Sequence, residues 1–210
     1  MTSLIRKIID FGNILLCFLL FYPYVIRYHV SGNKSEKLHV GCGKNRFRGW
    51  INADILPKSD LIIFLQKKLP FKANSLKRIY MEHVLEHVSY DLGVFFLKEA
   101  RRSLQRGGVI RIAMPDLDAL IDGYQKDWRK FDWITWPDFS FIKTRAEMIN
   151  IAFRWWGHQH LYNKEELARA LIEAGFTTFI FVEHNQSKFE DLRGLETRLD
   201  STLIVEAEKN

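Results

Sequence analysis

Three short stretches carry residues whose types and spacing suit chemistry. The first is "KLHVGCGKNRFRGWINADI", Lys37 to Ile55, in which Val40, Gly41, Cys42 and Gly43 close one apolar run and Asp54 closes the next. Glycine lets the main chain come close to a ligand and adopt φ values that other residues avoid. A carboxylate at the end of the neighbouring strand can accept both hydroxyls of a ribose. The second stretch is "HVLEH", His83 to His87, which has the H-x-x-E-H form. The third, "GHQHLY", brings His158, His160 and Tyr162 close together. Histidine titrates near neutrality and can remove a proton from a hydroxyl.

The spacing excludes two common phosphate sites. A dinucleotide fingerprint needs a third glycine where Arg46 stands, then a helix, then an acid about 20 residues on. Here the acid, Asp54, follows Gly43 by 11 residues, and there is no room for the helix. A P-loop fails for want of Gly-Lys-Ser/Thr. What remains is a site for a ribose and a close backbone contact without a pyrophosphate cradle. S-adenosylmethionine (SAM), a nucleoside bearing an amino acid, has that shape.

The elements that must position these residues follow from periodicity. Apolar β-rich runs at 37–40, 50–54, 60–65, 76–81, 108–114, 177–183 and 201–207 alternate with helical segments. Seven such runs predict a Rossmann-like, doubly wound α/β sheet, mostly parallel. The last two runs are joined by a loop alone, so they are expected to pair antiparallel. Helices are predicted over Ser89–Gln105, stopped by Gly107–Gly108, then over Leu117–Phe131 and Phe141–Trp156. A further helix starts at Asn163, with Glu166 as its capping-box partner, and ends at Gly175. Residues 117–160 thus form a helical, aromatic-rich, lid-like insertion after the fifth strand. In open α/β sheets ligands bind beyond the carboxyl ends of the strands, which is where Asp116 and Asp118 would also stand.

Five blocks in order, "LHVGCG", "GWINADI", "LPFKANSLKRIYMEHVLEHV", "LQRGGVIRIAMPDL" and "GHQHLYNKEELARALIEAGF", resemble the class I SAM-dependent methyltransferases. The resemblance spans about Lys37 to Glu208. It is greatest to a small, methyltransferase type 11-like group often linked to polysaccharide biosynthesis. It implies a seven-stranded sheet with a reversed last hairpin, SAM as cofactor, Gly41 and Gly43 beside the methionine part and Asp54 on the ribose. Relatives carry an acid near the end of the third strand that contacts adenine; here Phe64 stands there. Gln66 as polar partner, or Phe71 as a stacking ring, is the expected substitute. Glu82 and His83, at the end of the fourth strand, are expected at the cofactor's edge. His83, His158 and His160 are the candidates for a general base or for orienting the acceptor, a small-molecule or saccharide-like hydroxyl or amine.

Two other readings stand beside this one. A catalytically degenerate SAM-binding scaffold is favoured by Phe64. A zinc protease is suggested by H-x-x-E-H, but the motif directly follows a strand, whereas zincin ligands sit within a helix. A metal bridging His83, His158 and His160 is conceivable, yet none is assigned.

Composition bounds the rest. A chain of 210 residues suits one α/β domain, at 31–210, behind an apolar segment at 1–30. Two cysteines give no disulfide framework and suit a reducing, cytoplasmic setting. The first 111 residues hold 19 Lys and Arg against 8 Asp and Glu, which suits an anionic partner or a solvated basic surface. No basic stripe with interleaved aromatics marks a nucleic-acid partner. "FGNILLCFLLFYPYVI" is shorter than the roughly 20 apolar residues of a spanning helix and holds Pro23. Residues 4–26 are read as an interfacial helix, peripheral on the inner face of a membrane, or as a helix packed on the core. Oligomeric state is not legible.

Overall fold

The computed structural model describes residues 35–56 and 58–210, together with Leu19, Phe21–Pro23, Val25, Ile26, Tyr28 and His29. Seven strands form one sheet: β1 (Lys37–Val40), β2 (Ile51–Asp54), β3 (Leu61–Ile62), β4 (Leu76–Glu82), β5 (Leu104–Met114), β6 (Thr178–Phe181) and β7 (Leu203–Glu208). Their order across the sheet is β3-β2-β1-β4-β5-β7-β6. β1 to β5 run parallel, and β7 pairs antiparallel with both β5 and β6. The strand order reverses between β1 and β4, which places a ligand crevice at their carboxyl ends.

The central strands are apolar on both faces because both are covered. On one face α1 (Tyr90–Ser103) and α4 (Lys164–Glu173) pack over Leu38, Ile79, Ile110, Ile112 and Val205. The other face carries Tyr80, Val109 and buried Arg111, and the cover there includes Trp50 and Leu192. Leu192 comes from the connection between β6 and β7, residues 182–202, which closes over this face as a loop with one short 3-10 turn at Glu190–Leu192. Arg111 ties that loop to the sheet. Its guanidinium donates to Glu196 at 2.6 and 2.9 Å, to Glu206 at 2.6 Å and to the Gln186 carbonyl at 2.8 Å.

The insertion after β5 has its own small core. α2 (Leu117–Gln125) and α3 (Arg145–Arg154) flank three 3-10 turns, and Trp128, Trp133, Phe139 and Met148 are buried among them. The helix expected over 117–131 therefore ends at Gln125. The one expected over 141–156 starts at Arg145, behind a capping box made by Thr144 and Glu147. Asn163 caps α4 as expected, its side chain accepting from the Glu166 N–H at 2.9 Å. Glu166 does not return the contact: its carboxylate is taken by Arg169 and His160.

The helix expected to reach Gln105 gives way to strand at Leu104, which takes extended backbone and pairs with Leu76. β3 is shorter than expected, because only Leu61 and Ile62 find partners on β2. Phe64 packs with Phe21 and Ile62, their Phe rings 6.0 Å apart, and Tyr28 meets Phe71 edge-on at 5.7 Å. The rest of the proposed membrane-facing segment, including residues 4–18, lies outside the described residues. Among those described, no helix is long and apolar enough to cross a membrane.

Candidate active site

Two cavities open side by side at the carboxyl ends of the strands. The smaller, about 270 Å³, lies over the turn after β1 and is lined by His39, Gly41, Cys42, Gly43, Lys44, Asn45, Phe47, Glu82, Thr197 and Arg198. The larger, about 650 Å³, is lined by His83, His87 and His158, by Asp116, Asp132 and Asp200, and by Phe131, Trp133, Trp136 and Trp156 among others. Arg198 lines both.

In the turn of the smaller cavity both glycines have positive φ, 69° at Gly41 and 50° at Gly43. Their roles differ. A Cβ on Gly41 would lie 2.2 Å from Val84 Cγ2, whereas one on Gly43 would meet nothing within 4 Å. Gly41 thus admits the loop after β4, and Gly43 opens onto free space. Asp54 Oδ2 accepts from the Gly43 N–H at 2.8 Å and its Oδ1 from the Leu56 N–H at 3.1 Å. Each oxygen keeps a lone pair for another donor. The Cys42 N–H donates to the Ala53 carbonyl at 3.1 Å, which holds the two strand ends together. Burial pushes the Cys42 thiol up to about 11, so it stays protonated. Val40 is part of the main core.

The floor of this cavity is a histidine that sequence reasoning missed. His39 stacks on Phe47, centroids 4.3 Å apart and planes within 10°. Burial lowers its pKa to about 4, against the upward pull of Asn52, Glu82 and Asp54. Glu82 is bound to the β6–β7 loop. Its carboxylate accepts from the Thr197 N–H at 3.0 and 3.1 Å, from Thr197 Oγ1 at 2.7 Å, from the Arg198 N–H at 3.1 Å and from Ser201 Oγ at 2.7 Å.

At the larger cavity His83 has φ of 51°, and residues Leu85–His87 form a single 3-10 turn. H-x-x-E-H therefore does not lie along an α-helix, and the zincin geometry is absent. Burial lowers the His83 and His87 pKa values to about 3 and 4 and raises that of Glu86 to about 8. His158 is also lowered by burial, and its Nδ1 lies 2.7 Å from the Ala152 carbonyl. Nδ1 therefore carries the proton, leaving Nε2 as the base nitrogen.

The other expected residues fall elsewhere. His160 lines neither cavity; its Nε2 lies 3.0 Å from Glu166 Oε1. Gln66 is exposed on the turn after β3, and Phe71 is in the core. Asp118 receives the Asn163 side-chain amide at 3.1 Å. Thr197, Arg198 and Asp200 also escaped the sequence reading. The one signal for them was Glu82, a strand-end carboxylate that needed donors.

This sheet order, with β7 reversed and the crevice at β1 and β4, is the class I SAM-dependent methyltransferase fold. No family model and no curated protein sequence matches the chain. Among solved structures it is similar to a SAM-dependent methyltransferase of Thermotoga maritima, named as a possible histamine N-methyltransferase. The TM-score is 0.52 at 16% identity, over 98% of this chain and 97% of that one. A possible exported protein of Bordetella parapertussis matches at TM-score 0.49 and 13% identity, over 82% and 61%. Phosphoethanolamine N-methyltransferase 2 of Haemonchus contortus, in complex with phosphomonomethylethanolamine and S-adenosylhomocysteine, matches at TM-score 0.48 and 12% identity, over 82% and 48%.

Proposed function

We propose that the chain is a SAM-dependent methyltransferase acting on a small, saccharide-like acceptor. The observation that carries this is the pairing of the two cavities across Arg198 at the strand-order reversal. The smaller cavity is offered to the nucleoside: Gly43 opens onto free space, neutral His39 adds no repulsive charge to a sulfonium, and Asp54, which stands beside the cavity rather than lining it, holds the Gly43 N–H and keeps lone pairs for a ribose diol. When bound, SAM supplies an electrophilic methyl group whose transfer needs chiefly alignment with a nucleophile. The larger cavity suits the acceptor. Asp116, Asp132 and Asp200 can accept hydrogen bonds from hydroxyls, and the rings of Trp136 and Trp156 offer apolar surface to a sugar. His158 lines the same cavity.

The test is calorimetry with S-adenosylhomocysteine, followed by transfer of a labelled methyl group to saccharide and small-molecule extracts. Binding together with labelled saccharide is expected. No binding would end the reading. The degenerate-scaffold reading rests on the small volume of the first cavity and on the commitment of Glu82 to the loop. Binding with no turnover on any extract would favour it.

A further inference from the structure

H-x-x-E-H does not form a zincin site, but two of its residues meet a third from the insertion. A ring nitrogen of His87, a carboxylate oxygen of Glu86 and a ring nitrogen of His158 all lie within 4.8 Å of one another. Glu86 is wholly buried, and neither of its carboxylate oxygens receives a donor from another residue. His83 Nδ1 stands 3.4 Å from Glu86 Oε1 without the alignment of a hydrogen bond. A buried carboxylate is costly unless a cation or donors answer it. Among the described residues no other donates a hydrogen bond to Glu86, and the Arg198 charge acts on it only from a distance.

We propose that Glu86, His87 and His158 bind a divalent metal ion, zinc by choice of ligands, at the base of the larger cavity.

The arrangement has the marks of a metal site beyond proximity. Two imidazoles and one carboxylate are the ligand set of zinc sites that leave a fourth position open. At a metal–nitrogen distance of about 2.1 Å, two imidazoles at a tetrahedral angle would have centroids roughly 5 Å apart; the His87 and His158 centroids are 5.0 Å apart, with planes at 74°. His158 Nδ1 is held by the Ala152 carbonyl at 2.7 Å. Metal-bound histidines are oriented by just such a contact on the other nitrogen. His87 and His158 also line the larger cavity, so the open position faces the acceptor. The role there, holding an acceptor oxygen, rests on the methyltransferase reading; the existence of the site does not.

The test uses the full chain, purified without a metal-affinity tag. Metal content is measured by mass spectrometry, and the stripped chain is then titrated with zinc against a chromophoric chelator. About one zinc per chain is expected, with at least a tenfold loss of affinity in His158→Ala and in Glu86→Gln, while His160→Ala keeps the metal. Cobalt should replace zinc with the visible absorption of a four- or five-coordinate ion. S-adenosylhomocysteine affinity, followed in parallel, reports on folding and on the methyltransferase reading separately. His158 is half-buried, so its variant stands in if Glu86→Gln fails to fold. A stripped wild type that takes up no zinc, or zinc uptake unchanged by His158→Ala, overturns the proposal.

Discussion

At the scale of single residues, Asp54 and the two glycines make separable predictions. Asp54→Ala removes the acceptor proposed for the ribose diol. Charged hydrogen bonds of this kind contribute about 1.5–3 kcal/mol, so S-adenosylhomocysteine affinity should fall at least tenfold by calorimetry. Gly41→Ala drives a methyl group into Val84. Overpacking typically costs roughly 1–3 kcal/mol, and the urea midpoint should drop further than in Gly43→Ala, where only the backbone is strained. His39 gives a pH test. Its folded pKa, about 4, lies below the ordinary value of 6.5. Between those values the unfolded chain binds the extra proton, so this stability is complete above pH 6.5 and is lost as pH falls toward 4. The loss is of order 3 kcal/mol. His39→Gln should flatten the slope of urea-derived stability over that range; an unchanged slope would show that His39 does not carry it. The nearness of Gly43 and Asp54 was legible from sequence because each closes one of two neighbouring strands. The packing role of Gly41 was not, since it depends on Val84, 43 residues away.

At the scale of elements, local signals served where local physics decides. Asn163 marked the start of α4 correctly, because a side chain three residues from an unpaired N–H is a short-range matter. The end of α1 was misread because Leu104 is claimed by Leu76, a partner outside any local window. The helix read over Leu117–Phe131 stops early, at Gln125, because the chain beyond it turns in 3-10 steps to bury Trp128, Trp133 and Phe139 together. The β6–β7 loop is the element least visible in sequence. Its cover of the sheet depends on Arg111, which is fully buried and shared between Glu196 and Glu206. Replacing Arg111 with Met strands both carboxylates. Breaking a buried pair in this way costs about 3–5 kcal/mol. Thermal unfolding should show a large drop, and Arg111→Met combined with Glu196→Leu should recover part of it.

At the scale of the whole molecule, the seven-strand plan was legible because each buried strand is a short apolar run between breakers, and the order of the blocks fixed the rest. The pairing of cavities was not legible. It needs the insertion, the end of β4 and the β6–β7 loop at one end of the sheet, and no spacing in the sequence reports that convergence. The partition between the two chambers hangs from one hook. Four donors of residues 197–201 are gathered on Glu82, and Arg198, next to the hook, faces both rooms. Damage at Glu82 would not be confined to one side. Glu82→Ala should weaken nucleoside binding and acceptor binding together, a double defect from a side chain that need touch neither molecule.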